Sequence, residues 1–126
     1  MSTARDFHRK AMEFNSKAIA AKKWGDTKSY KELLEKAFNY EKDAAMVLYS
    51  ESNCEPTRSI LFRSAGWMAY NLGNYTQADV MVARGLIYVK HDDIKEELMD
   101  LLREVRKSRE KTKVENEFEN KKITDI

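Results

Sequence analysis

One cysteine, one proline and four glycines are all that this chain of 126 residues contains of the residues that staple or punctuate a fold. A lone thiol, Cys54, excludes an intrachain disulfide. It is expected as a small buried or half-buried residue near a helix start. Sandwiches and barrels need frequent turn residues, so their scarcity argues for long helices. No apolar run approaches the roughly 20 residues that span a bilayer, and no membrane partner is expected. The opening M-S-T-A-R-D-F-H-R-K has no apolar core of a secretory signal, so a cytoplasmic location is expected. The sequon Asn74-Tyr75-Thr76 is then idle. Charged residues make up 35% of the chain, yet the net charge is only +2, so no field of one sign draws nucleic acid or anionic lipid.

The motifs of catalysis are missing as well. The run Gly25-Asp26-Thr27-Lys28-Ser29 has the residue types of a phosphate loop in the wrong order and without a preceding strand. No dinucleotide fingerprint and no Glu-x-x-His pair occurs. His8 and His91 are far apart in sequence and lack cysteine partners, so no metal site is expected. His8 is assigned to a solvated face. His91 is assigned to the C-terminal end of the fourth helix, where positive charge suits the dipole. No nucleophile, base and orienting group can be assembled from these residues. The chain is therefore expected to be no enzyme and to need no cofactor.

What remains is helical periodicity. Phe7, Ala11, Phe14, Ala18 and Ala21 form one stripe of a helix over about 3–23. Gly25 stops it, and Asp26 or Thr27 caps a second helix from about Thr27 to Ser50. That helix is striped by Tyr30, Leu33, Leu34, Ala37, Phe38, Ala44, Ala45 and Leu48. Pro56 takes the first turn of a third helix, with Ile60, Leu61, Ala65, Met68, Ala69 and Leu72 inward. Gly73 ends it, and Asn74 with Gln77 forms a capping pair for a fourth. There Ala78, Met81, Val82, Gly85 and Leu86 face inward. A fifth helix opens at Asp93, which with Glu96 repeats the cap pattern, and docks through Ile94, Leu98, Leu101, Leu102 and Val105. Val114 and Phe118 extend it, and the chain frays from about Glu119.

These elements predict an all-α protein of five helices in one domain, 1–126. The first hairpin covers about 3–50, the second about 56–89, the capping helix about 93–118, and the frayed tail 119–126. The two hairpins repeat weakly. With Gly25 laid over Gly73, an offset of 48, Phe14 falls on Phe62, Ala18 on Gly66, Ala21 on Ala69, Leu34 on Val82 and Ala37 on Gly85.

Ala65-Gly66, Gly73, Tyr75, Ala78, Gly85 and Leu86 stand at the spacing of the tetratricopeptide repeat, a helix-turn-helix unit, and this stretch resembles that family. Ala69 and Lys90 depart from the repeat's usual tyrosine and proline. The run E-P-T-R-S-I-L-F-R-S-A over 55–65 is similar to the second hairpin of small bacterial tetratricopeptide-like proteins. The resemblance implies two hairpins stacked as a short right-handed solenoid, closed by the last helix. It also implies a non-enzymatic role in protein–protein interaction.

By the repeat's register, the first helix of each hairpin lines a concave face. Ile60, Arg63, Trp67, Tyr70 and Asn71 are placed there from the second hairpin, and Met12, Asn15, Ile19, Lys22 and Lys23 from the first. Of these, Arg63, Trp67, Tyr70, Asn71, Asn15 and Lys22 are the residues expected to bind. Arginine and aromatic residues dominate binding hot spots, and this set suits an acidic protein or peptide partner. Packing of Trp67 and Tyr70 against the first or fifth helix is the competing reading. Two further readings stand beside it. One is a self-assembling homodimer. The other is nucleic-acid association through 103–113, which carries +4 over 11 residues. Glu104 and Glu110 interrupt that segment and no aromatic interleaves it, which favours a solvated helix face.

Overall fold

The computed structural model describes residues 3–124, with side chains as far as Lys121. Five α helices follow in chain order: α1 (Ala4–Lys23), α2 (Thr27–Leu48), α3 (Thr57–Asn71), α4 (Tyr75–Tyr88) and α5 (Asp92–Thr124). No strand occurs among the described residues. The fold class expected from the sequence holds at this level: the protein is all-α with five helices.

Local chemistry explains the boundaries. Thr3 and Asp6 form a reciprocal capping box at the start of α1, with N–H···O distances of 3.0 and 3.1 Å. The backbone and hydroxyl hydrogen bonds from Thr3 hold the Asp6 carboxyl below its ordinary range. Gly25 and Gly73 take φ of +77° and +76°, the left-handed conformation that glycine adopts without strain. Each turn then closes with the same bonds. The Asp26 and Asn74 amides donate to Ala21 and Ala69 carbonyls, both at 2.9 Å, and the Gly25 and Gly73 amides to Lys22 and Tyr70. Asp26 caps Ser29 at 3.0 Å and Asn74 caps Gln77 at 3.2 Å. The offset of 48 read from the sequence thus recurs in these bonds, although the first turn adds one from the Thr27 amide to Gly25 at 3.1 Å.

Tight turns fold α1 onto α2 and α3 onto α4. The α2–α3 connection, 49–56, carries the chain to the second hairpin, and α5 lies against α4 and α3. One continuous core runs through all five helices. Phe62, Met81, Val82, Leu98, Leu101 and Val105 are its largest fully buried apolar side chains. Ala65, Gly66, Ala69, Ala78 and Gly85 are all buried between α3 and α4, as expected. The two glycines do more than bring those helices together. A Cβ on Gly66 would stand 3.1 Å from Leu101 and 3.2 Å from Val82. One on Gly85 would stand 3.1 Å from Phe62 and 3.2 Å from Leu98. Their bare backbones admit the leucines of α5.

A buried ionic corner fixes the crossing between hairpins. Arg58 donates from Nε to Glu55 at 2.9 Å and from Nη1 to the carbonyls of Leu48, Tyr49 and Glu51. It thereby satisfies the open end of α2. Its guanidinium lies 4.1 Å from the Tyr88 ring centroid. The second oxygen of Glu55 accepts from the Ser59 amide and hydroxyl, closing the start of α3.

Four details differ from the sequence reading. Pro56 precedes α3 and does not enter its first turn. His91 does not end α4, which stops at Tyr88. It stands before α5, and its carbonyl accepts the Lys95 amide at 2.9 Å. Asp92 and Asp93 consequently lie inside the first turn of α5, where carboxylates suit the dipole. That helix continues past Glu119 to Thr124, because its dense mixture of Glu, Lys and Arg sustains helix even without burial. The last two positions of the expected frayed tail, 125 and 126, lie outside the described residues.

Candidate functional site

Side chains of α1, α2 and α3 together line an open cavity of about 440 Å³. Its walls include Asn15, Ile19 and Lys22 from α1, Tyr30 and Leu34 from α2, and Arg63, Trp67 and Asn71 from α3. Spacing explains which residues arrive there. Arg63, Trp67 and Asn71 are four apart and form one row of a helix, and Asn15, Ile19 and Lys22 form the facing row. Under the offset of 48, Asn15 corresponds to Arg63 and Ile19 to Trp67, so both hairpins present these two positions, whereas Lys22 and Asn71 have no counterpart in the cavity.

Six of the ten residues assigned to this face from the sequence line the cavity: Asn15, Ile19, Lys22, Arg63, Trp67 and Asn71; Met12, Lys23 and Ile60 do not. Tyr70 turns away. Its ring packs edge-on against Trp67 and tilted against Tyr75, and its hydroxyl stands 3.4 Å from Ser108 on α5. The passing of α5 on that side supplies the partner that a half-buried phenol needs. Trp67 is not core, being 42% exposed. Ile19, the counterpart of Trp67, is 61% exposed in the same cavity.

The electrostatics of the cavity are one-sided. Lys22 and Arg63 line it, and no carboxylate does. The Lys22 ammonium lies 5.4 Å from the Tyr30 ring centroid. Arg63 donates from Nη1 to Glu97 of α5, a carboxylate outside the lining.

A second polar cluster was missed. Glu41 is fully buried, although the rest of its helix face is Ala37, Phe38, Ala44 and Ala45. Its two oxygens meet His8 Nδ1 and the Ser64 hydroxyl, each at 2.7 Å. His8 is therefore not simply solvated. It is tied across α1, α2 and α3 through Glu41, with 45% of its side chain exposed. The signal was a single charge at the centre of an apolar stripe. Chemically the cluster is a clamp. Serine and histidine both bind the carboxylate and not each other, which is not the relay of a nucleophile and its base.

Three arginines of the basic segment 103–113 engage acids: Arg103 pairs with Asp100, and Arg109 and Arg106 approach Asp79 at 2.8 and 4.0 Å. Among the described residues no group of three or more His, Cys, Asp or Glu side chains is placed to hold a metal ion, and no helix is long and apolar enough to cross a membrane. Compared with protein-family models, curated proteins and solved structures, the chain matches none of them.

Proposed function

We propose that this protein is a non-enzymatic protein-interaction module of tetratricopeptide-like type, a short helical solenoid working in the cytoplasm. Its partner site is the cavity between α1 and α3. One observation carries the reading: Asn15, Lys22, Arg63, Trp67 and Asn71, chosen from the repeat's register, line a single cavity that also exposes Ile19. The matching turns at Gly25 and Gly73 support the repeat, with α5 closing the open end of the second hairpin. A photo-crosslinking residue at position 71 is expected to trap a partner in extract of the source cell. The same residue at Lys31, exposed on α2, is expected to trap none. Identical adducts from both positions, or none from either, refute the assignment. Arg63→Ala with Asn71→Ala is expected to weaken the trapped complex by 2 kcal/mol or more, on the order expected of hot-spot residues. The melting temperature should stay nearly unchanged.

Self-assembly as a homodimer is the second reading. Trp24 favours it, since an indole 82% exposed is unusual on an unpartnered surface. Light scattering across a concentration series decides it, and Trp24→Lys would dissolve such a dimer.

A further inference from the structure

We propose that the groove takes an extended peptide in which an apolar side chain stands between two carboxylates about three residues apart. The inference rests on reading this cavity as a partner site. Taken along the helices, the lining is Asn15 and Arg63, then Ile19 and Trp67, then Lys22 and Asn71. The cations therefore stand at opposite ends, and the exposed apolar pair stands between them. Arg63 to Asn71 spans eight residues of helix, or about 12 Å. An extended chain covers that with about three or four residues. A strip of this length fits a peptide better than a compact acid.

Each part of the occupant answers a feature of the wall. Lys22 and Arg63 face no acid from the lining, so carboxylates from outside can balance them. Arg63 already shows this preference, since Glu97 reaches it from α5. That carboxylate is 55% exposed, and a competing one can displace it. Ile19 and Trp67 offer apolar area that only an apolar side chain covers without stranding a polar group. The Asn15 and Asn71 side chains make no hydrogen bond among the described residues, and an amide can donate to and accept from a peptide backbone.

The test selects dodecapeptides from an unbiased phage library on the whole protein, then titrates them as synthetic peptides. Trp24→Phe serves as the background, so that Trp67 is the only tryptophan and reports occupancy of the groove. The expected winners carry acid, apolar and acid in that order and shift Trp67 emission. Arg63→Gln or Lys22→Gln should weaken them about tenfold each, the scale of one hydrogen bond to a charged group, with helical content unchanged. Glu97→Gln should tighten them, because it frees Arg63. Winners that are neutral or basic yet shift Trp67 overturn the ligand class and leave the groove as a partner site. If no winner shifts Trp67, the ligand class and the partner site fall together.

Discussion

Trp24 is the most exposed large apolar side chain described, whereas Leu72, its counterpart in the second hairpin, is half-buried, although the turns that follow them share φ, hydrogen bonds and caps. The same contrast recurs inside the hairpins. Phe62 is fully buried and meets Tyr49 edge-on, with ring centroids 5.5 Å apart. Phe14, its counterpart, is half-buried, stacks on Tyr40 and is covered by the Lys17 and Lys36 ammoniums, each 5.6 Å from its centroid. Where the first hairpin has Ala18 and Ala37, the second has Gly66 and Gly85, because Leu101 and Leu98 fill the space a methyl group would need. Local sequence makes two similar hairpins, and neighbouring elements decide how each is finished. The second is sealed by the leucines of α5. The first ends in aromatics and the stems of lysines, which bury apolar surface while keeping their charge in water.

Removing the seal should have the largest effect. A chain truncated before Ile94 loses Leu98, Leu101, Leu102 and Val105, all buried, and uncovers the groove between Gly66 and Gly85. It should aggregate or form new oligomers in light scattering, since a contiguous apolar patch of that kind seldom stays in water. A soluble monomer with the parent's melting temperature would show that α5 seals nothing.

The first hairpin is joined to the second through a polar tie that the second lacks. Glu41 corresponds to Val89 under the offset, so the clamp on His8 and Ser64 has no counterpart. Glu41→Ala should cost about 2–3 kcal/mol in denaturant unfolding, less than breaking a wholly buried pair because His8 is partly solvated. Glu41→Gln, which keeps the shape and the acceptor for Ser64, should cost less. Equal losses in the two variants would mean that the site depends on the carboxylate charge alone, and not on volume or on the bond from Ser64.

This clamp marks where sequence reasoning stopped. The stripes, the two glycine turns and their caps were legible because each depends on residues within a few positions. The rows lining the groove were legible from the register of the tetratricopeptide resemblance, and the hairpins repeat them at Asn15 with Arg63 and at Ile19 with Trp67. Glu41 and Arg58 were not, since a charge on a helix is ordinarily solvated and its burial depends on partners distant in the chain. The turn of Tyr70 toward Ser108 depends in the same way on where α5 passes. The full length of α5 was hidden because a polar composition alone does not distinguish exposed helix from a fraying end.

A smaller effect should come from equalising the close contacts. Gly66→Leu would force side-chain atoms into space held by Leu101 and Val82, at a cost of about 1–3 kcal/mol. Ala18→Gly, its mirror in the first hairpin, should cost about 1 kcal/mol through helix propensity and about 0.8 kcal/mol for the buried methyl group it removes. If Gly66→Leu melts like the parent, the difference between the hairpins does not arise from α5.

The smallest expected difference separates the two caps by pH. Asp26 and Asn74 do the same work at equivalent positions, but only Asp26 titrates. The Ser29 side chain and amide hold the Asp26 carboxyl below its ordinary value of 3.8. A carboxyl depressed on folding contributes stability that is fully present above the unfolded value and is lost as pH falls through the folded one. The start of α2 should therefore loosen under acid, below the ordinary aspartate range, while the start of α4 holds. Amide exchange read by nuclear magnetic resonance at Ser29 and Gln77 over a descending pH series measures both caps in one sample. The Ser29 amide should lose protection relative to Gln77, and Asp26→Asn should abolish the divergence. Asp6 in the capping box of α1 is depressed in the same direction and should behave as Asp26 does. Parallel behaviour of Ser29 and Gln77 down to the lowest pH would mean that the Asp26 carboxylate adds nothing its amide could not, and that the two turns are equivalent in energy as well as in geometry.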